Sequence, residues 1–262
     1  MSAERPPLSE LRERATLSSG PAALRQLRRS LRGDPRRGAA DLDGALARRL
    51  RGLRAEERRM TALFACRREL FARGLRFVAG IDEVGVGPLA GPVVAAAVIL
   101  PERVLLPGLD DSKKLSRAAR EDLDAAIRAQ AHAIGIGMAD SCEIDRINIL
   151  QATLEAMRRA VAALRPRPEH LLVDARTIPR VRIAQTALVG GDGCDGSIAA
   201  ASIVAKVHRD SLMRRYDDEY PGYGFLRHVG YGTAEHLAAL RRLGPSPIHR
   251  CSFQPVAEAA RP

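Results

Sequence analysis

Phe77-Val78-Ala79-Gly80-Ile81-Asp82-Glu83-Val84-Gly85-Val86-Gly87-Pro88 decides how this chain is read. An apolar run ends on two consecutive carboxylates and passes into a glycine-rich turn. Asp and Glu are poor strand formers, so a pair of them closing a strand needs a reason. Side chains alternate between the two faces of a strand, and a regular strand does not aim both acids at one ion. Asp82 and Glu83 are therefore expected where the strand ends or bends, which the neighbouring glycines permit. Taken alone, the pair has an ordinary alternative as a solvated strand end.

Working outward, residues 92–100 form a second apolar strand and 133–138 a third. Helices are expected over 116–131, 142–164, 198–216 and 234–243, with further strands at 169–174 and 181–189. Three strands, a helix, two strands and then helices describe an α/β sheet that begins as a meander. Upstream, the chain reads as helical with breaks near 18–21 and 33–35. Its segment 41–73 is spaced for a helix through Leu42, Leu46, Leu50 and Leu53, and Gly74 reads as a C-cap. This divides the chain into a basic helical extension, 1–74, and an α/β body, 75–262.

Two further carboxylates close apolar runs. Asp174 ends Leu171-Leu172-Val173, and Asp192 follows Val189-Gly190-Gly191. Each has a plain reading as a strand terminus or a turn former. Four such carboxylates together describe an oxygen-rich site for a hard cation, Mg²⁺ or Mn²⁺. Without a cation, clustered carboxylates repel and cannot all stay charged. Two cations bridged by carboxylates, roughly 3.5–4 Å apart, activate water and stabilise the leaving oxygen of a phosphodiester.

Composition bounds the partners. The 262 residues carry a formal charge of +11, and hydrophobic residues make up 46% with only 3% aromatic and no Trp. The core must be aliphatic, and the charge points to a polyanion such as nucleic acid. Residues 1–74 hold 18 Arg against 9 acidic residues, a net of +9, while the rest of the chain is only +2. The four cysteines, Cys66, Cys142, Cys194 and Cys251, form no metal or disulfide pattern. Neither a secretory leader nor a membrane span is read, so a cytoplasmic protein is expected.

Eight segments resemble bacterial ribonuclease HII in order: GIDEVGVGPLAGPVVAAAVIL (80–100), LDDSKKLS (109–116), EIDRINILQATLEAM (143–157), LLVDA (171–175), SIAAASIVAKVHRD (197–210), YPGYGF (220–225), GYGT (230–233) and HRCSF (249–253). GDPRRG (33–38) is similar to extensions of some Gram-positive members. The resemblance implies a ribonuclease H-like fold with a mixed five-stranded sheet flanked by helices. It implies an endonuclease that cuts RNA in RNA–DNA hybrids and at ribonucleotides embedded in duplex DNA, leaving 5′-phosphate and 3′-hydroxyl ends. Asp82, Glu83, Asp174 and Asp192 match the four catalytic carboxylates. Of these, Asp82, Glu83 and Asp174 are expected to ligate Mn²⁺ or Mg²⁺ directly, and Asp192 to complete a second metal position or orient water. Tyr231 matches the tyrosine that packs on the deoxyribose beyond the scissile ribonucleotide. Asp210 is expected in a structural salt bridge. A monomer with no membrane partner is expected.

Lys113, Lys114 and Lys206 are the only lysines in an arginine-rich chain. Lys113 and Lys114 are both candidate substrate-binding residues, one or the other read as a phosphate contact, and Lys206 is read as structural. Gly85, Val86 and Gly87 occupy the family's substrate-gripping turn, where the usual sequence is Gly-Arg-Gly. Gly190 and Val229 also stand where the family carries lysine, and Ala175 where many members have glycine. The three missing cations motivate an alternative: a hybrid-binding protein with weak or lost catalysis.

Overall fold

The computed structural model describes residues 6–18 and 20–260. The chain divides after Ala62 into two compact units. The expected boundary was 74/75; the division falls earlier because the helix that follows packs into the second unit.

The first unit contains α1 (Leu8–Leu17), α2 (Pro21–Ser30) and α3 (Ala39–Leu63). Pro21 sits in the first turn of α2, where its missing N–H leaves nothing unsatisfied. Leu11, Leu24, Leu27, Leu31, Leu46 and Leu50 build a separate apolar core, with Leu42 and Leu53 half-buried at its edge.

The second unit contains α4 (Ala65–Ala72), β1 (Val78–Val84), β2 (Val93–Ile99), α5 (Arg117–Gln130), β3 (Ala133–Ala139), α6 (Ser141–Ile147) and α7 (Ile149–Ala163). It continues with β4 (His170–Asp174), β5 (Ala184–Leu188), α8 (Gly191–Cys194) and α9 (Gly196–Glu219). Last come α10 (Phe225–His228), α11 (Ala234–Leu243) and α12 (Gln254–Ala259). The five strands form one sheet in the order β3-β2-β1-β4-β5. β1–β2 and β2–β3 are antiparallel, and β1–β4 and β4–β5 are parallel. This is the expected mixed sheet.

β1 and β2 are apolar on both faces because helices cover both. Ala79, Ile81, Ala95, Ala97 and Val173 pack with Ala156, Met157 and Ala160 of α7. On the opposite face, Val78 and Leu172 pack with Ile198 of α9 and Leu70 of α4. Helix α9 is buried from Gly196 through Ala205, as an all-round apolar helix against a sheet must be. Glycines bring these helices onto the strand backbone. A Cβ on Gly80 would stand 2.0 Å from the Ser197 carbonyl carbon, and one on Gly137 would stand 2.0 Å from the Ala156 oxygen.

Three elements differ from expectation. The helix expected over 142–164 is two, because Asn148 adopts a left-handed φ of 66° and its side chain caps the Gln151 N–H at 3.1 Å. The segment 41–73 is likewise interrupted, at Phe64 between α3 and α4. β5 is shorter than 181–189: it is an edge strand, and Val181 and Ile183 pack on the core from the loop before it. Among the described residues, no helix is long and apolar enough to cross a membrane.

Candidate metal centre

The parallel register sets Ile81 opposite Val173, so the next residues, Asp82 within β1 and Asp174 at the end of β4, emerge side by side. Glu83 follows on the last turn of the pleat. One ligand oxygen from each of Asp82, Glu83 and Asp174 lies within 4.8 Å of the others. Asp82 and Glu83 thus converge although β1 runs on to Val84. The Glu83 N–H donates to Asp82 Oδ1 at 2.8 Å, and the Gly191 N–H donates to Asp174 Oδ1 at 2.7 Å.

Asp82 is only 5% exposed. Burial, and then the charge of Glu83, push its carboxyl up to about 8 despite a hydrogen bond from Ser202. Burial also raises Glu83, against the pull of Arg176, whose guanidinium stands 3.9 Å away. Glu83 Oε2 is buried with no hydrogen-bond partner among the described residues. A clustered, acceptor-only oxygen set with an orphaned buried oxygen fits a hard divalent cation.

Asp192 lies in the first turn of α8, immediately after the Gly191 that bonds Asp174. It is outside the three-carboxylate group, and Lys113 Nζ holds its Oδ2 at 2.8 Å. Lys114 instead pairs with Asp110 at 3.1 Å. Asp210 pairs with Lys206 at 2.7 Å along α9. That salt bridge matches the structural reading of both residues.

The turn after β1 is held from behind by two buried arginines that were not singled out in the sequence. Arg250 donates to the carbonyls of Gly85 at 2.6 Å, Val86 at 2.8 Å and Gly91 at 2.8 Å. Arg209 donates to Ala90, Pro92 and Val229 carbonyls at 3.1, 3.0 and 2.9 Å. Gly85 has φ 87°, and a Cβ there would stand 2.2 Å from Arg209 Nε. Among the described residues, nothing accepts from the N–H of Val86 or Gly87. Val86 is 40% and Tyr231 45% exposed. A methyl on Gly87 would meet Tyr231 Cε1 at 3.8 Å, so turn and tyrosine share one surface. Behind Tyr231, His236 Nδ1 bonds its carbonyl at 2.9 Å, and His236 Nε2 lies 3.0 Å from His249 Nε2. Val229 holds a left-handed φ of 44° and Ala175 one of 56°, which explains on steric grounds why glycine suits position 175.

Residues 79–256 match the sequence profile described as Ribonuclease HII. The ribonuclease HII of Geobacillus thermodenitrificans is 54% identical over 229 residues, covering 87% of this chain and 88% of the relative. The chain belongs to the ribonuclease HII family. The Geobacter sulfurreducens ribonuclease HII is 60% identical over 186 residues, 71% of this chain and 86% of the relative. A crystal structure described as the ribonuclease H2 from Pyrococcus horikoshii OT3 superposes with a TM-score of 0.60 at 25% identity. It covers 70% of this chain and 97% of its own. The activity is that of a ribonuclease H, a phosphodiester hydrolase and endonuclease. The alternative of a hybrid binder without catalysis finds no support among these ribonuclease HII relatives.

Proposed function

We propose that Asp82, Glu83 and Asp174 bind Mn²⁺ or Mg²⁺ and carry the hydrolysis of a phosphodiester on the RNA side of a hybrid or at a ribonucleotide embedded in DNA. The convergence of their oxygens within 4.8 Å, with Glu83 Oε2 left unpartnered, supports this reading most strongly. Bound divalent cations would supply Lewis-acid activation of water and neutralise charge on the leaving oxygen.

The residues divide the remaining tasks. Asp82 and Asp174 present oxygens already aligned by strand register, so little reorganisation is needed on loading. Asp192 sits one residue beyond the Asp174 clamp, where it orients water or completes a second cation position. The largely exposed Lys113 side chain holds Asp192 through its ammonium, and that cation would meet a substrate phosphate. The N–H groups of Val86 and Gly87 offer donors to a ribose 2′-hydroxyl or phosphate, a contact that separates RNA from DNA. Tyr231 packs on the sugar beyond the cut. The nucleic acid is an RNA–DNA hybrid or a ribonucleotide-containing duplex, the protein acts as a monomer, and its setting is cytoplasmic replication and repair.

The test supplies Mn²⁺ or Mg²⁺ with a duplex carrying one ribonucleotide, beside a fully hybrid duplex. Cleavage leaving 5′-phosphate and 3′-hydroxyl ends is expected. Asp82→Asn should lower kcat by about 100-fold or more, as expected when electrostatic stabilisation of the transition state is removed, while binding is retained. Cleavage at wild-type rate by Asp82→Asn, or none by wild type with either metal, defeats the proposal.

A further inference from the structure

Three histidines, His228, His236 and His249, are buried behind Tyr231. The Tyr231 ring itself is nearly half exposed, so its placement depends on what holds its backbone. Its N–H donates to the His228 carbonyl at 2.9 Å. Its carbonyl accepts from the Thr233 N–H at 2.8 Å and faces His236 Nδ1 at 2.9 Å. The direction of the histidine contacts follows from their far end. The Ser246 N–H donates to His249 Nδ1 at 2.9 Å, so that nitrogen carries no proton and the neutral ring is protonated at Nε2. His249 Nε2–H then donates to His236 Nε2 at 3.0 Å. This puts the His236 proton on Nδ1, aimed at the Tyr231 carbonyl. Burial keeps both rings neutral at pH 7: it lowers His236, and together with the neighbouring His236 it brings His249 down to about 4. A backbone N–H at Ser246 thereby fixes, through two rings, a donor on Tyr231.

We propose, resting on the reading of Tyr231 as the group packed on the sugar beyond the cut, that His236 and His249 are positioning residues for that tyrosine and so set the preference for deoxyribose there. A ribose differs from a deoxyribose by one hydroxyl, and a ring packed on the sugar tells them apart only if it stands in one place. Packing alone does not call for imidazole at these positions. The His236 ring lies 5.4 Å from Phe225 and 4.4 Å from His228, centroid to centroid, and an apolar ring would fill that space with no buried nitrogens to satisfy. Imidazole adds an acceptor and a donor on opposite edges, which links the turn at Ser246 to Tyr231. The residue after His249 is Arg250, which holds the Gly85 and Val86 carbonyls. One buried segment therefore places both the glycine-rich turn and the tyrosine that shares its surface.

The readout is a ratio, measured on the full chain with Mn²⁺: kcat/KM on a duplex carrying one ribonucleotide over kcat/KM on a fully hybrid duplex. The same folded enzyme cuts both, so partial unfolding cancels. His236→Phe should lower the ratio by about 10-fold, within the range that a displaced positioning group costs, and Tyr231→Ala should lower it at least as much. In the Tyr231→Ala background, His236→Phe should lower it no further, as for residues that act as one unit. His236→Asn keeps a donor near Nδ1 and His249→Gln keeps one near Nε2, so both should retain most of the preference. Additive losses would overturn the proposal, as would an unchanged ratio in His236→Phe where Tyr231→Ala loses it. A ratio unmoved by Tyr231→Ala would instead sink the reading of the tyrosine, and this proposal with it. Should His236→Phe not fold, imidazole ¹⁵N resonances of the wild type at pH 7 decide the matter. Nδ1–H is expected for His236 and Nε2–H for His249, and the opposite tautomer in either ring overturns the proposal.

Discussion

Arg250 shows how a residue distant in sequence shapes the glycine-rich turn after β1. Its guanidinium is fully buried and is spent on carbonyls of Gly85, Val86 and Gly91. Holding the carbonyls inward leaves the N–H groups of Val86 and Gly87 facing out. A lysine keeps the charge but has no planar fork with which to reach three carbonyls. Arg250→Lys is expected to destabilise the fold by about 1.5–3 kcal/mol for each charged hydrogen bond broken. It should also raise KM several-fold while kcat changes little. Urea unfolding and steady-state kinetics on the single-ribonucleotide duplex check this; a folded variant with unchanged KM removes the positioning role. The carboxylates were legible in the sequence because acids following apolar runs are conspicuous there, although Asp82 and Glu83 lie within β1 rather than at its end. Arg250 was not, since a charged residue near the C-terminus carries no sign of burial. Arg209 hid in the same way, within a helix whose apolar pattern surrounds it.

At the scale of elements, the approach of α9 to β1 places Ser202 against Asp82. Gly80 permits that approach: its missing Cβ would collide with the Ser197 carbonyl carbon and oxygen at 2.0 and 2.1 Å. These are backbone atoms near the start of a 24-residue helix, so relief requires moving the helix or the strand. Gly80→Ala should cost about 3 kcal/mol or more, at the upper end of overpacking effects, and should depress cleavage by shifting Ser202 from Asp82. A urea midpoint within experimental error of wild type would show that the helix accommodates the methyl. Sheet order and helix positions were readable because apolar runs of strand length alternate with helical spacing. The break at Asn148 was not, because apolar periodicity continues through it while the backbone reverses locally. The edge strand β5 was overestimated for a related reason: Val181 and Ile183 are apolar for packing, not for pairing.

For the molecule as a whole, the carboxylate cluster sets function against stability. The folded Asp82 carboxyl, near 8, lies above its ordinary value of 3.8. The folded state therefore holds that proton more tightly than the unfolded chain, and stability falls as pH rises from about 4 to 8. His249 acts in the opposite sense: burial and His236 lower it from 6.5 to about 4, so its contribution is lost as pH falls through that window. Comparing wild type with Asp82→Asn cancels the histidine, which both proteins share. Asp82→Asn removes the group that must take up a proton on folding and keeps an acceptor for the Glu83 N–H. At pH 7 without metal it should be more stable than wild type by at least about 1 kcal/mol, since a tenfold difference in proton affinity between the folded and unfolded carboxyl is already worth about 1.36 kcal/mol. The difference should shrink toward zero as pH falls to 4. Adding Mn²⁺ at about 100 times its dissociation constant should stabilise wild type by about 2.7 kcal/mol, and Asp82→Asn far less. Thermal unfolding across pH and metal concentration reads both effects. If Asp82→Asn is less stable without metal, the buried carboxylate is not repelled in the folded state. If Mn²⁺ leaves the wild-type midpoint unmoved, the cluster is not a cation site. The expected crossing, with the variant more stable bare and the wild type more stable loaded, follows from three acids converging on two neighbouring parallel strands.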